Sequence, residues 1–538
     1  MPTLELGNKP LTLEDVRAVA FGGMKVSLSP AARQKIKRSN EFLKKSVSSG
    51  ETFYGINTGF GLLSNVRIAD GDIEALQINL LRSHACGTGA TIPDEFVRAM
   101  LLLRASTLAL GFSGVRMQLV EQLLALLNAG VSPLVPEQGS VGASGDLAPL
   151  AHLALVLVGE GRARVGGVEM TGAQALKRAG LNPLTLAAKE GLALINGTQF
   201  MAALGTLALL EAEHLCDLAD VAGAMSVEAL RGTEDAFEPE IHAVRPHPGQ
   251  IQVADHLRAL LFSKKGGGKA KSEISRSHED CGKVQDPYSL RCMPQVHGAI
   301  RDTLTFVRGV LEREINSVTD NPLVIAPGSL PGATQGRILS GGNFHGEILA
   351  IALDTLAIAV AELASISEQR IEKLINPAFS ELPPFLTKQG GLHSGFMIVQ
   401  VAAASIVSEN KTLCHPASVD SIPTSADKED HVSMGAWAAR KAIRVIVNTR
   451  RVLGMELLAG AQGIDLLRPL KSSYALEQVH ALLRSKVAAL GADRAFSEDF
   501  ARVESLIESW EFEKLLREIR KGWEGSNGRS KNASRRKR

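Results

Sequence analysis

Two long stretches of this chain leave few architectures open. From Leu349 to Ile366 only the charges of Asp354 and Glu362 interrupt a run of apolar or small residues, and Ile398–Val407 is nearly all apolar or small. Runs of that kind suit helices buried on every side, as at the centre of a bundle. Helix starts stand at Thr12-Leu-Glu-Asp15 and at Ser29-Pro-Ala, where proline falls just inside the cap and helical spacing runs to about Ser46. The same spacing covers Asp72 to Leu127 with a break at Ser83–Gly89, runs through about Ala222 after Lys189–Thr198, and dominates 296–325 and 345–480. Strand character is confined to short pieces such as Thr3–Leu6 and a small hairpin at Val165-Gly-Gly-Val-Glu-Met170. Aromatic residues are only 4% of the chain, so aliphatic packing must carry the core. The expected fold class is mainly α.

Charge and cysteine usage narrow the class further. The net charge of +2 conceals a basic tail: 521–538 has seven Lys/Arg against one Glu, and the rest of the 538 residues is mildly acidic. That distribution makes no case for nucleic-acid binding. Lys264-Lys-Gly-Gly-Gly-Lys-Ala-Lys271 is short and lacks aromatics, which suits an exposed loop. The five cysteines are scattered without a CxxC pair, which argues for free thiols in a reducing compartment. The first residues have neither a basic nor an apolar targeting segment, and no run of roughly 18 uninterrupted apolar residues suggests a membrane span. A cytoplasmic protein is expected.

The chemistry concentrates in Gly139-Ser-Val-Gly-Ala-Ser-Gly-Asp-Leu-Ala-Pro-Leu150. Such a density of small residues lets the backbone bend sharply or approach itself closely. A phosphate cradle would need Lys-Ser/Thr after the last glycine, whereas Asp146-Leu147 follows and its charge would repel phosphate. The other reading is covalent. In Ala143-Ser144-Gly145 the glycine nitrogen can attack the Ala143 carbonyl carbon, and loss of water from the ring and from the serine leaves an electrophilic exocyclic methylene. Glycine suits the attack because it has no side chain, and serine because its hydroxyl leaves.

Other polar clusters admit a structural and a chemical reading alike. Phe53-Tyr-Gly-Ile-Asn-Thr-Gly-Phe-Gly61 either packs a turn or presents Tyr54 to a cavity. His84 suits a hydrogen-bonded structural role as well as a site. Asn196-Gly197 suits a helix boundary, and Asn196 is also a compact donor and acceptor for a substrate. Gln285, Tyr288 and Arg291 are spaced by threes and share one side of a turn or helix start. Arginine there either makes a structural ion pair or clamps a carboxylate, with the tyrosine relaying a proton. Gly341-Gly-Asn-Phe-His-Gly346, which contains Phe344, and Gly390–Met397 are glycine-bracketed loops of the kind that line sites. Glu429, in the polar Ser421–Met434 segment, suits a cap or a solvated charge as well as a ligand contact.

Five of these stretches, taken in order, resemble one family. They are Tyr54-Gly-Ile-Asn-Thr-Gly-Phe-Gly, Ser83-His-Ala-Cys-Gly, the Ala143-Ser-Gly loop, Gln285-Asp-Pro-Tyr-Ser-Leu-Arg, and Ser425 through Met434. They resemble the ammonia-lyases and aminomutases that carry 4-methylidene-imidazol-5-one (MIO), over about residues 5–515. Within that family, Ser83-His84 and Glu429-Asp-His-Val-Ser-Met are similar to the histidine ammonia-lyase branch.

The resemblance implies a carbon–nitrogen lyase that releases ammonia from L-histidine to give urocanate, opening histidine degradation. Tyrosine or phenylalanine lyase, or a 2,3-aminomutase, is the alternative on the same group. It implies MIO formed autocatalytically from Ala143, Ser144 and Gly145, Tyr54 as the base for the β-proton, and Arg291 as the carboxylate clamp. Asn196, Gln285, Tyr288 and Phe344 would shape and polarise the site, and His84 and Glu429 would face the imidazole. Lowering the tyrosine pKa for that work falls to nearby positive charge and hydrogen bonds. The implied assembly is a homotetramer of long helices with each site built from three chains, acting on a small amino acid without metal, added cofactor, nucleic acid or membrane. An N-terminal loop-rich part carrying the MIO loop (1–210), a long-helix bundle (211–520) and a disordered basic tail (521–538) are expected. The chain departs from the family where Asp427-Lys428 replaces Asn-Gln and where Met293 and His297 stand in Cys292-Met-Pro-Gln-Val-His-Gly. Lys428 is placed to pair with Glu429 and alter the ring preference. A zinc hydrolase has no support, since thirteen dispersed histidines form no HExxH.

Overall fold

A computed structural model of the chain describes residues 3–49, 51–59, 65–519 and 521. Phe60 and Gly61 of the tyrosine loop, and the tail from residue 522, lie outside them. The described chain is mainly helical, with four small sheets among the described residues. Its contacts group into two compact units. Met1–Leu210, Val307–Asp354 and Pro416–Ile443 form the first, and Glu211–Phe306, Thr355–His415 and Arg444–Arg538 the second.

In the first unit the local sequence sets the element ends. The Thr12 hydroxyl accepts from the Asp15 amide at 3.0 Å while the Asp15 carboxylate accepts from the Thr12 amide at 3.1 Å, so helix Leu13–Ala20 begins with a capping box. The Ser29 side chain caps Pro30–Ser48 by accepting from the Ala32 amide, with proline in the first turn, where no amide donor is needed. Strand Thr3–Leu6 pairs in parallel with Lys25–Leu28, and Arg162–Val165 forms the expected hairpin with Val168–Thr171. Helix Asp94–Ala109 is the core of the unit. Every residue from Ala99 to Ala109 is buried, and the helix packs on Leu13–Ala20 and Met117–Ala129. Residues 110–116 break the helical run that the spacing predicts to be continuous there.

The second unit contains the long helices and joins them by buried charge. Glu456 of Gly435–Leu466 takes two hydrogen bonds from Arg370 of Glu347–Ile375, at 2.5 and 2.8 Å, and further ones from Ser367 and Ser226. Asp220 of Gln199–Ala229 accepts from His297 at 2.7 Å, His256 at 2.8 Å and Arg301 at 2.6 Å. Burial alone would raise the Asp220 pKa, but Arg301 and the two histidines hold it well below the usual carboxylate range. Breaking such a pair from one side strands a buried charge, which fixes how the helices pair.

The two apolar runs form helices, Glu347–Ile375 and Met397–Leu413, but they are not buried on every side. Ile348, Ile351 and Ile358 of the first and Ile398 and Val401 of the second are exposed on this chain. Each helix packs one face inward and turns another outward, so its apolar run is only partly buried in this chain. The segment Glu190–Ala229 is long and apolar enough to cross a membrane by composition, yet its apolar window is wholly buried within the protein, as a core helix is. Helix Gln199–Ala229 also runs past the Ala222 limit set by spacing.

Candidate active site

The Ala143-Ser144-Gly145 tripeptide lies between strand Pro136–Gln138 and helix Leu147–Leu157. Gly145 has φ +75°, and a Cβ there would stand 2.3 Å from the Gly197 carbonyl oxygen, so only glycine fits. Both peptide groups flanking Gly145 are held by one turn. Asn196 Nδ2 donates to Ser144 O at 2.8 Å, and the Asp146 amide donates to Gly197 O at 2.7 Å. Upstream, Gly142 O accepts from Ser433 Oγ at 2.9 Å and from the Gly346 amide at 3.1 Å. Ala143 is buried. Helix Leu147–Leu157 begins two residues beyond Gly145 and directs its positive end at the loop.

Asp146 caps a helix other than its own. Its Oδ2 accepts from the Met201 amide at 3.0 Å, in the first turn of Gln199–Ala229, and its Oδ1 accepts from Ser140 Oγ at 3.0 Å. Complete burial pushes its pKa up to about 7, against the hydrogen bonds from Met201, Ser140 and Phe200. The carboxyl, read in sequence only as a charge that repels phosphate, thus anchors the loop by hydrogen bonds.

Six of the predicted residues meet in one cavity of about 550 Å³: Tyr54, His84, Ser144, Asn196, Phe344 and Glu429. Ser144 Oγ donates to Glu429 Oε1 at 2.5 Å and Thr424 Oγ1 donates to Oε2 at 2.7 Å. Both Glu429 oxygens are therefore taken by hydroxyls, and Lys428, expected to pair with it, instead lines the cavity beside it. The turn that presents them is strained. Ser425, Ala426 and Asp427 have φ of 52°, 53° and 61°, a left-handed run that side-chain-bearing residues rarely adopt. His84 Nδ1 lies 2.8 Å from Leu80 O, which can only accept, so Nδ1 carries the proton and Nε2 is left as an acceptor. Burial lowers the His84 pKa, with the Leu80 carbonyl and the Glu429 charge opposing, and the ring is neutral at pH 7. Phe344 follows Ser340-Gly341, which Asn321 fixes by accepting from the Gly341 amide at 2.7 Å and donating to Ser340 at 3.1 Å.

Gln285, Tyr288 and Arg291 belong to the second unit and are not among the residues lining this cavity. Tyr288 and Arg291 share the short helix Tyr288–Arg291, the guanidinium standing 4.6 Å from the centre of the phenol ring. Tyr288 is 71% exposed on this chain. Gln285 lines a separate cavity of about 470 Å³ together with Lys283 and Lys373.

Asp217, Asp220 and His256 are the one cluster of metal-ligand type found among the described residues, with ligand atoms within 4.8 Å of one another. Arg301 Nη2 donates to both carboxylates, at 2.8 and 2.6 Å, and already supplies the compensating charge.

Sequence reasoning missed Arg104, Lys189 and Asp320, which are fully buried beneath the Asn196–Gly197 turn. Only the polar, turn-forming Thr319-Asp-Asn-Pro322 could have drawn notice to any of them.

The family model for aromatic amino acid lyases matches residues 11–485. The chain is 56% identical over 517 residues to a histidine ammonia-lyase of Anaeromyxobacter sp. (strain K), covering 94% of this chain and 99% of that one. It is 55% identical over 505 residues to a histidine ammonia-lyase of Sorangium cellulosum (strain So ce56), covering 93% and 96%. Among solved structures, histidine ammonia-lyase from Trypanosoma cruzi superposes with a TM-score of 0.87 at 45% identity, covering 96% of each chain. Tyrosine aminomutase from Streptomyces globisporus superposes at 0.88 with 36% identity, covering 96% of this chain and 99% of that one. With the matched model spanning most of its length and these relatives covering nearly all of it, the chain belongs to the aromatic amino acid lyase family.

Proposed function

We propose that the chain is a histidine ammonia-lyase, which eliminates ammonia from L-histidine to give urocanate, the first step of histidine degradation. The observation that carries this reading is the cavity where Tyr54, His84, Ser144, Asn196, Phe344 and Glu429 converge from across the first unit. Identities of 51–56% to histidine ammonia-lyases over nearly the whole chain support the histidine branch.

The residues present fit MIO. Gly145 has the backbone bend and absence of side chain that ring closure requires, and Asn196 holds the carbonyl of Ser144 while its own Oδ1 is buried without a partner. Once formed, the group supplies an electrophilic methylene that makes ammonia a better leaving group or the β-carbon more acidic. Tyr54, which lines the same cavity, takes the β-proton as general base. The neutral Nε2 of His84 and the carboxylate of Glu429 are both acceptors placed for an imidazole N–H, which a hydrocarbon ring cannot offer. Arg291 clamps the carboxylate with its planar fork, and Gln285 and Tyr288 complete the polar wall.

Those last three residues act in a neighbouring chain's site. Support comes from the exposure of Tyr288 and from apolar faces such as Ile348–Ile351–Ile358 that one chain leaves uncovered. The assembly is a homotetramer in the cytoplasm with active sites shared between chains. Its partner is a small amino acid; neither nucleic acid nor a membrane enters the chemistry.

A second reading, an MIO enzyme for tyrosine or phenylalanine, either lyase or 2,3-aminomutase, is favoured by one observation: Lys428 lines the cavity where the family carries glutamine. Offering L-histidine, L-tyrosine and L-phenylalanine separately decides between them. Urocanate from histidine alone establishes the first; cinnamate, coumarate or a β-amino acid establishes the second.

A further inference from the structure

The ring-forming loop rests on the Asn196–Gly197 turn, and that turn rests on three buried charges that the chemistry above leaves unused. Arg104, Lys189 and Asp320 are each 0% exposed. Lys189 Nζ lies 2.9 Å from both Asp320 oxygens, and Arg104 Nη2 lies 3.9 Å from Oδ1. Arg104 Nη1 donates to Asn196 O at 3.2 Å, to Thr319 O at 3.3 Å and to Gln199 Oε1 at 2.8 Å. Gln199 is fixed in turn by donating to Thr107 and Thr319. Gly197 is closed in by the same group: a Cβ there would stand 2.3 Å from Arg104 Nη1 and 2.4 Å from Thr319 O.

This arrangement is expensive for a merely structural element. Two cations face one anion in the interior, where apolar side chains of similar volume would serve stability as well or better. The Nε and Nη2 of Arg104 are buried without hydrogen-bond partners. Lys189 also holds a left-handed backbone, φ 73°, a conformation strained for a residue with a side chain. A buried excess of positive charge, tied through Arg104 to the carbonyl of Asn196, whose side chain holds Ser144, points to a task at the loop.

We propose that Arg104, Lys189 and Asp320 are positioning residues for ring formation. They act through Asn196–Gly197, which grips the Ser144 carbonyl on one side of Gly145 and the Asp146 amide on the other. The inference rests on the reading that Ala143-Ser144-Gly145 cyclise. In that step Gly145 N bonds to the Ala143 carbonyl carbon. The carbonyl oxygen leaves as water with the amide hydrogens of Gly145 and Ser144, and the Ser144 hydroxyl leaves as water with its own Cα hydrogen. No oxidant or reductant is required. With the turn held, the flanking peptides stay bent; with the turn loose, they relax and closure slows.

The test follows intact mass in freshly synthesised full-length protein, sampled from the folded fraction over time. Wild type is expected to become lighter by two water molecules; if it does not, the cyclisation reading itself fails. Arg104→Lys, which keeps the charge and loses the fork, and Lys189→Met are expected to lose the two waters at least about tenfold more slowly, the scale of one directional hydrogen bond. Leu123→Ala, a change at a buried position in the same unit, serves as the control for destabilisation alone and is expected to mature at the wild-type rate. Wild-type maturation in both charge variants overturns the inference, as does equal slowing in Leu123→Ala. Asp320→Asn adds a third variant if either of the first two fails to fold.

Discussion

Ser144 Oγ donates to Glu429 Oε1 at 2.5 Å, joining residues 285 positions apart in the sequence. The proposed ring formation would remove that hydroxyl as water, leaving Oε1 without its partner and able to accept from an imidazole N–H. Thr424 meanwhile keeps Oε2 in place. On that proposal the carboxylate is held at the loop before the group exists and released to the substrate afterwards.

Glu429→Gln should therefore act on substrate choice. We expect kcat/KM for L-histidine to fall roughly 10²-fold, the scale of losing a charged acceptor in a dry site. Activity on L-phenylalanine, which has no ring N–H, should fall much less. Steady-state kinetics on both substrates checks this; proportional losses would remove Glu429 from ring recognition.

Tyr54→Phe removes the phenol oxygen and keeps the ring. Turnover should fall roughly 10²- to 10⁴-fold, as for loss of a general base, with a far smaller change in substrate binding. Binding measured by displacement, alongside kcat, separates the two effects.

Asp146 gives a pH signature in stability. Its folded pKa of about 7 lies above the ordinary 3.8, so the folded state binds the extra proton between those values. Stability from this group is complete below about pH 4 and is lost as pH rises toward 7. Asp146→Asn does not titrate, so its Tm relative to wild type should climb across that window and level off above it. A flat difference would mean that the carboxyl titrates normally.

The proposed sharing of sites between chains predicts complementation. Tyr54→Phe and Arg291→Ala should each be nearly inactive as pure oligomers, yet co-expressed chains should regain activity, because some sites in mixed assemblies draw the tyrosine and the arginine from unaltered chains. Absence of any recovery in verified mixed oligomers would place both residues in one chain's site.

What could be read in the sequence was local or carried by motif. The Thr12–Asp15 capping box, the Ser29-Pro30 start and the 162–171 hairpin each follow from a few adjacent residues. The six cavity residues were found because each stands in a recognisable stretch, although nothing in local spacing brings position 54 to position 429. Arg104, Lys189 and Asp320 were not legible: a charged residue within a helical run reads as a solvated face, and only tertiary packing reveals burial. For the same reason the exposed isoleucines of Glu347–Ile375 read as core, since an apolar residue turned outward looks the same in sequence as one turned inward.

The most direct measurement is near-ultraviolet product and ammonia formation from L-histidine by the wild-type protein and by Ser144→Ala, both verified as folded. The expected result is urocanate with equal ammonia from wild type and a loss of several orders of magnitude in the variant. Full activity in Ser144→Ala, or no urocanate from the dehydrated wild-type protein, would contradict the central claim.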